Sequence, residues 1–195
     1  PGMTVAAPRD EATLRNLLYT AQAADCGPMA IRYPRGCGFS ADWRTPMRAL
    51  EIGRGEQLAH GTDLAIISTG TIAREVSEAI ALLAAQGISA AHFDMTFVKP
   101  LDTAMLRDIA RSGMPVLTVE DGTIEGGLGT AVAAWMADEG YHPAMRRLGI
   151  PDRFVAQGSV AQLKKLCGID AASIAQAAAG LAKIQSPVKS TAICE

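Results

Sequence analysis

Histidine, cysteine and asparagine are scarce in this 195-residue chain, and none of them is grouped. His60, His92 and His142 stand singly, with no H-x-x-x-H pair to hold a metal on one helix face. Cys26, Cys37, Cys167 and Cys194 lie far apart and form no C-x-x-C. That excludes zinc-type spacing and the dense framework of a secreted disulfide domain. No metal site, reduced thiols and a cytoplasmic location are the expectations. Net charge is -2 without a long run of either sign, so nothing suggests nucleic acid or an anionic membrane surface as partner. No apolar stretch reaches the ~18 residues of a membrane span. Aromatics make up 5% of the chain while hydrophobics make up 49%, so the core must be built from Ala, Leu, Ile and Val. That is the profile of a soluble α/β protein with helices layered on a sheet.

The apolar periods give the organisation. Met3 to Ala7 reads as a short strand closed by Pro8, and Asp10 as the N-cap of a helix running to about Ala24. Pro28 to Ile31 reads as a short buried strand. Cys37 to Ala49 shows no period and reads as a linker. Beyond it, Glu51 to Glu56 resembles an edge strand, and Leu64 to Ser68 a buried parallel-type strand followed by a helix that Gly87 closes. Ser89 to Phe93, Pro115 to Val119 and Met145 to Leu148 are further strands. Asp102 is placed to cap a helix, Lys99-Pro100 after Phe97-Val98 reads as a structural turn with Lys99 pairing a nearby carboxylate, and Gly126-Gly127-Leu128-Gly129 opens a helix to about Asp138. Two short helices follow, over Ala161 to Leu166 and Ala171 to Ile184. The alternation predicts an α/β fold with a mostly parallel sheet flanked by helices. Residues 1–36, with only three elements, read as the tail of a second α/β domain. The chain opens Pro1-Gly2-Met3, and a piece of something longer is expected.

Arg32-Tyr33-Pro34-Arg35-Gly36 is the most informative run. Pro34 cannot join a ladder and Gly36 permits a sharp turn, so two guanidinium groups stand at the carboxyl end of a strand. Open α/β sheets gather ligands there, and the planar fork of arginine matches phosphate or carboxylate oxygens. A surface arginine pair in local salt bridges is the competing reading. Glu120-Asp121, at another strand end, fits acid/base groups or solvated loop carboxylates. The Gly126–Gly129 loop fits a phosphate on helix amides or close packing, and packing is favoured because the full dinucleotide spacing is absent. Neither a P-loop nor a G-x-S-x-G elbow occurs. Asn16 is the only asparagine. A thiamine-diphosphate site of the Gly-Asp-Gly…Asn type therefore cannot be assembled from Glu120-Asp121-Gly122.

Several further runs occur in order. They are Pro1-Gly2-Met3, Ala7-Pro8-Arg9-Asp10-Glu11, Leu18-Tyr19-Thr20, Ile31 to Gly36, Ile52-Gly53-Arg54-Gly55 and Phe97-Val98-Lys99-Pro100-Leu101-Asp102. Thr118-Val119-Glu120-Asp121, Gly126 to Gly129 and Leu148 to Phe154 complete the series. With them the chain resembles, to about residue 182, the C-terminal part of the 1-deoxy-D-xylulose-5-phosphate synthases. Those are transketolase-like enzymes that use thiamine diphosphate. The chain departs at Gly122, where the family usually has Asn, and in its tail.

The resemblance implies a transketolase C-terminal-like domain at 50–184, preceded by the end of a pyrimidine-binding domain (1–36) and a linker (37–49), with a mobile tail at 185–195. It implies a homodimeric enzyme that joins pyruvate to glyceraldehyde 3-phosphate with loss of CO2, using thiamine diphosphate and Mg2+. Arg35 would hold the aldehyde's phosphate and Arg32 would support it. The activating Glu, the catalytic histidines and the Mg2+ ligands would lie upstream. The chain alone would then hold no catalytic, cofactor-binding or metal-binding residue and be inactive. The alternatives are the C-terminal domain of a 2-oxoacid dehydrogenase beta subunit or of a transketolase, and a non-catalytic interaction or dimerisation module.

Overall fold

The computed structural model describes residues 1–23, 25, 27–39 and 44–185, the side chains of Ile184 and Gln185 excepted. Part of the expected linker and the tail 186–195 lie outside the described residues. Five strands form the larger sheet: β3 (Glu56–Ala59), β4 (Leu64–Thr69), β5 (Ala90–Asp94), β7 (Val116–Thr123) and β8 (Met145–Ile150), in the order β3-β5-β4-β7-β8. Pairing is parallel except at β3, which runs antiparallel to β5. The expected mostly parallel sheet is therefore present.

Strand alternation decides which helices cover which face. Leu64, Ile66, Leu117 and Val119 point to one side, under α2 (Ala73–Ala84) and α6 (Ala171–Gln185). Ala65, Ile67, Phe93 and Val116 point to the other, under α3 (Thr103–Arg111) and α4 (Leu128–Asp138). β4 and β5 are buried along their whole length, which is why they read as apolar or near-apolar runs. A 3-10 turn at Gly70–Ile72 leads from β4 into α2, which buries Val76, Ala79 and Leu83 at helical spacing. Asp102 caps α3 as expected, accepting from the Met105 N–H at 2.9 Å. Ser159 and Gln162 form a capping box at the start of α5 (Val160–Leu166). No described helix is long and apolar enough to cross a membrane.

A second, three-stranded sheet carries the N-terminal segment: β2 (Met29–Ile31), β1 (Thr4–Ala6) and β6 (Phe97–Lys99), in that order, with α1 (Glu11–Thr20) between β1 and β2. Three expectations change here. Lys99, expected in a turn with Pro100, instead ends a three-residue strand, Phe97–Lys99, antiparallel to β1, because Phe97 is buried against Ala6 and Leu17. The strand expected over Glu51–Glu56 begins only at Glu56. The Gly55 N–H is drawn instead to the Asp102 carboxylate at 3.0 Å, and Arg54 closes a turn onto the Glu51 carbonyl. The strand expected to be buried, β2, is a half-exposed edge, since it pairs on one side only. Helix α1 stops at Thr20, and the final helix continues one residue beyond the expected end, through Gln185.

Candidate functional site

The carboxyl ends of β2, β4 and β7 meet at one point. β2 delivers Arg32, whose backbone N–H donates to the Ala6 carbonyl at 2.8 Å and so extends the ladder past the strand. Its guanidinium turns onto β7: Nη1 donates to Asp121 Oδ1 at 2.8 Å, and Nη2 donates to the Asp121 carbonyl at 2.9 Å and also to Oδ1. Thr71, just after β4, reaches the other carboxylate oxygen of Asp121 at 3.4 Å. Gly70, with φ +76, lets the chain pass beneath this pair: a Cβ there would sit 3.6 Å from both Arg32 Nη1 and Asp121 Oδ1.

Three residues on, Arg35 is in a different situation. It is exposed and lines a cleft of about 400 Å³ between the N-terminal segment, the start of α2 and α5. Among the described residues, none forms an ion pair or hydrogen bond with it. Tyr33, Leu14, Phe39 and Val160 give the cleft an apolar lining, and Asp10, Glu11, Arg74, Glu75 and Lys164 put charge of both signs on it. Lys164 is engaged by Glu75, and Arg74 pairs with Glu78 at 3.3 Å while stacking over the Phe39 ring. The local salt-bridge reading of the two arginines therefore describes Arg32, and the geometry leaves the Arg35 fork open to an anion from solvent.

Glu120 and Asp121 are each engaged by the protein itself rather than by one another. Glu120 is 5% exposed and caps α4, accepting from the Leu128 and Gly129 N–H groups at 2.9 Å each. The positive end of that helix is thus filled by the protein's own carboxylate, which leaves no room for a phosphate. A Cβ at Gly127 would come within 2.5 Å of the Thr123 carbonyl, and one at Gly129 within 2.5 Å of Thr118 Oγ1. The favoured packing role of this loop holds.

A second polar junction was not legible in the sequence. Arg9 Nη1 bridges Glu56 (2.7 Å) and the buried Asp94 (3.0 Å), and Thr96 donates to Asp94 at 2.9 Å. Burial pushes the Asp94 carboxyl up to about 6, with the Arg9 charge opposing. His92, two residues earlier on β5, is buried and bonded to Ser68 Oγ at 2.8 Å. Burial, with help from Arg9, lowers its pKa to about 4. This ring is held neutral inside the sheet, 1% exposed. Among the described residues no group of His, Cys, Asp and Glu side chains could hold a metal ion. With Glu120 and Asp121 both engaged, the donors present do not fit a Mg2+-diphosphate group.

Residues 53–174 match the family model described as the transketolase C-terminal domain. The chain is 47% identical over 176 residues to the 1-deoxy-D-xylulose-5-phosphate synthase of Parabacteroides distasonis, covering 90% of this chain and 28% of that protein. It is 49% identical over 174 residues to the corresponding synthase of Porphyromonas gingivalis, covering 89% and 27%. The chain therefore spans little more than a quarter of the length of the curated relatives it matches. Among solved structures, a split-gene transketolase described as an inactive beta4 tetramer superposes with TM-score 0.81 at 31% identity, over 95% of this chain and 60% of that one. A Pichia stipitis transketolase, at 21% identity and TM-score 0.63 over 94% of this chain and 26% of that one, shares the fold.

Proposed function

The chain belongs to the transketolase C-terminal domain family, and from that premise we propose that it is the carboxyl-terminal part of a cytoplasmic 1-deoxy-D-xylulose-5-phosphate synthase. Such an enzyme condenses pyruvate with glyceraldehyde 3-phosphate and releases CO2, and its product feeds isoprenoid, thiamine and pyridoxal synthesis. In this reading Arg35 receives the phosphate of the aldehyde, and Arg32 supports it without touching substrate. One observation carries the reading: of two arginines three residues apart at a strand's carboxyl end, one is locked onto Asp121 and the other faces a cleft unpaired. Thiamine diphosphate, when bound, supplies the carbanion chemistry, and its anchoring groups belong to the rest of a homodimeric enzyme. This chain contributes phosphate recognition and packing, and is inactive alone. A split-gene transketolase subunit is the second reading, supported by the 31% identical structural neighbour and ranked lower by that identity.

The test is substitution of Arg35 in the complete enzyme. Arg35→Ala should lower kcat/KM for glyceraldehyde 3-phosphate about tenfold to a hundredfold, the loss of one charge-assisted phosphate contact. Pyruvate decarboxylation should change far less. Arg35→Lys keeps the charge without the planar fork and should recover part of the loss. Unchanged KM for the aldehyde would overturn the assignment. Calorimetric titration of the isolated chain with thiamine diphosphate and Mg2+ should show no saturable heat, whereas micromolar binding, about -8 kcal/mol, would place a cofactor site in this chain.

A further inference from the structure

We propose that Asp121 and Glu11 are positioning residues that hold the two ends of the Tyr33–Gly38 loop, so that the Arg35 guanidinium is presented to the cleft in a fixed, unpaired geometry. The proposal rests on the reading of Arg35 as the anion-binding residue and adds to it which side chains build the site.

At the upstream end, the Arg32 backbone is in the β1–β2 ladder and its side chain is gripped by Asp121 through both the carboxylate and the carbonyl. Thr71 and Gly70 close around the same carboxylate. Pro34 stiffens the step to Arg35. At the downstream end, the Glu11 carboxylate, in the first turn of α1, accepts from the Phe39 N–H, and Arg74 of α2 lies 5.6 Å over the Phe39 ring. A Cβ at Gly38 would displace the Glu11 carboxylate from its bond to the Phe39 N–H. The loop is thus clamped from α1 on one side and from β7 and α2 on the other. Holding a binding group in place before the ligand arrives lowers the ordering cost of binding. Asp121 lies 89 residues from Arg32 in sequence and inside the span matched to the transketolase C-terminal domain. The five-stranded unit therefore shapes a site whose anion-binding residue it does not itself supply.

Charge alone and positioning predict opposite signs. Removing the carboxylate of Asp121 takes away negative charge near the cleft, which by itself would strengthen anion binding. Losing the grip on Arg32 frees the loop, which weakens it. The experiment is an amide NMR titration of the full chain with inorganic phosphate, following residues 33 and 35–39. Asp121→Ala should bind phosphate about three- to tenfold more weakly, the cost of re-ordering freed side chains. It should also lower the heteronuclear NOE of the loop amides, and Asp121→Glu should restore much of both. Unchanged or tighter phosphate binding in Asp121→Ala, with binding still abolished by Arg35→Ala, would overturn the positioning role and leave Arg35 standing. Equal binding by Arg35→Ala and the parent would overturn both. Should Asp121→Ala fail to fold, Arg32→Lys breaks the same bidentate contact at constant charge and must weaken phosphate binding and mobilise the loop in the same way.

Discussion

The two sheets of this molecule are held together by different physics. In the five-stranded sheet, β4 and β5 are buried throughout and apolar side chains cover both faces, in two separate clusters. In the three-stranded sheet the fully buried apolar residues are Ala6, Leu17 and Phe97, with Met29, Ile31, Leu50 and Ile52 half-buried around them. What joins this small sheet to the large one, besides β6, is polar: Arg9 on Asp94 and Glu56, and Arg32 on Asp121. Apolar burial is non-directional and strong in sum. A few partly exposed ion pairs fix geometry and contribute little stability. The large sheet therefore carries the stability, and the small one carries the Arg32–Gly36 loop in a precise but weakly held position.

The largest effect should come from the core of the large sheet. Leu117→Ala, at a fully buried position near the start of β7, should destabilise the whole fold by about 2–5 kcal/mol, read as a lower denaturation midpoint by every probe. Phe97→Ala should behave differently. Proteolysis of residues 1–36 should accelerate while the large sheet melts nearly as before. A uniform loss of stability in Phe97→Ala would show the two sheets to be one cooperative unit.

A smaller effect is expected from pH at the junction. His92 is depressed to about 4 from an ordinary value of 6.5. Its contribution to stability is complete above pH ~6.5 and is lost as pH falls through about 4. Asp94 is raised to about 6 from 3.8, so its contribution is complete below its unfolded value and is lost as pH rises through about 6. The two opposing slopes lie on one strand and cancel in large part. Relative to the parent, His92→Gln should lose its advantage at higher pH, its stability falling between pH 4 and 6. Asp94→Asn should do the reverse, its stability rising with pH over the same range. Urea titrations at intervals of one pH unit check this, and parallel curves for all three proteins would contradict the assignments.

Sequence patterns revealed the large sheet well and the small one poorly. Leu64 to Ser68 is a run with no other plausible home, and Asp102 with Met105 is a local cap written within four residues. By contrast β6 is three residues long, has no period, and owes its existence to pairing with Val5 and Ala6 more than ninety positions away. The site divides the same way. Two arginines at a strand end were visible. That Arg32 would be spent on Asp121, 89 residues on, and Arg35 left open was not, because only the fold brings those strand ends together. The role of Glu120 has a local signal in the sequence, a carboxylate eight residues before the bare amides of a glycine-rich helix start.

Native-state hydrogen exchange along the whole chain tests the central contrast most directly. Amides of β4, β5 and β7 should exchange only through global unfolding. Those of β1, β2 and α1 should open at distinctly lower free energy, and more readily still as salt screens the Arg9 and Arg32 pairs. Equal protection from residue 4 to residue 183, insensitive to salt, would contradict the account.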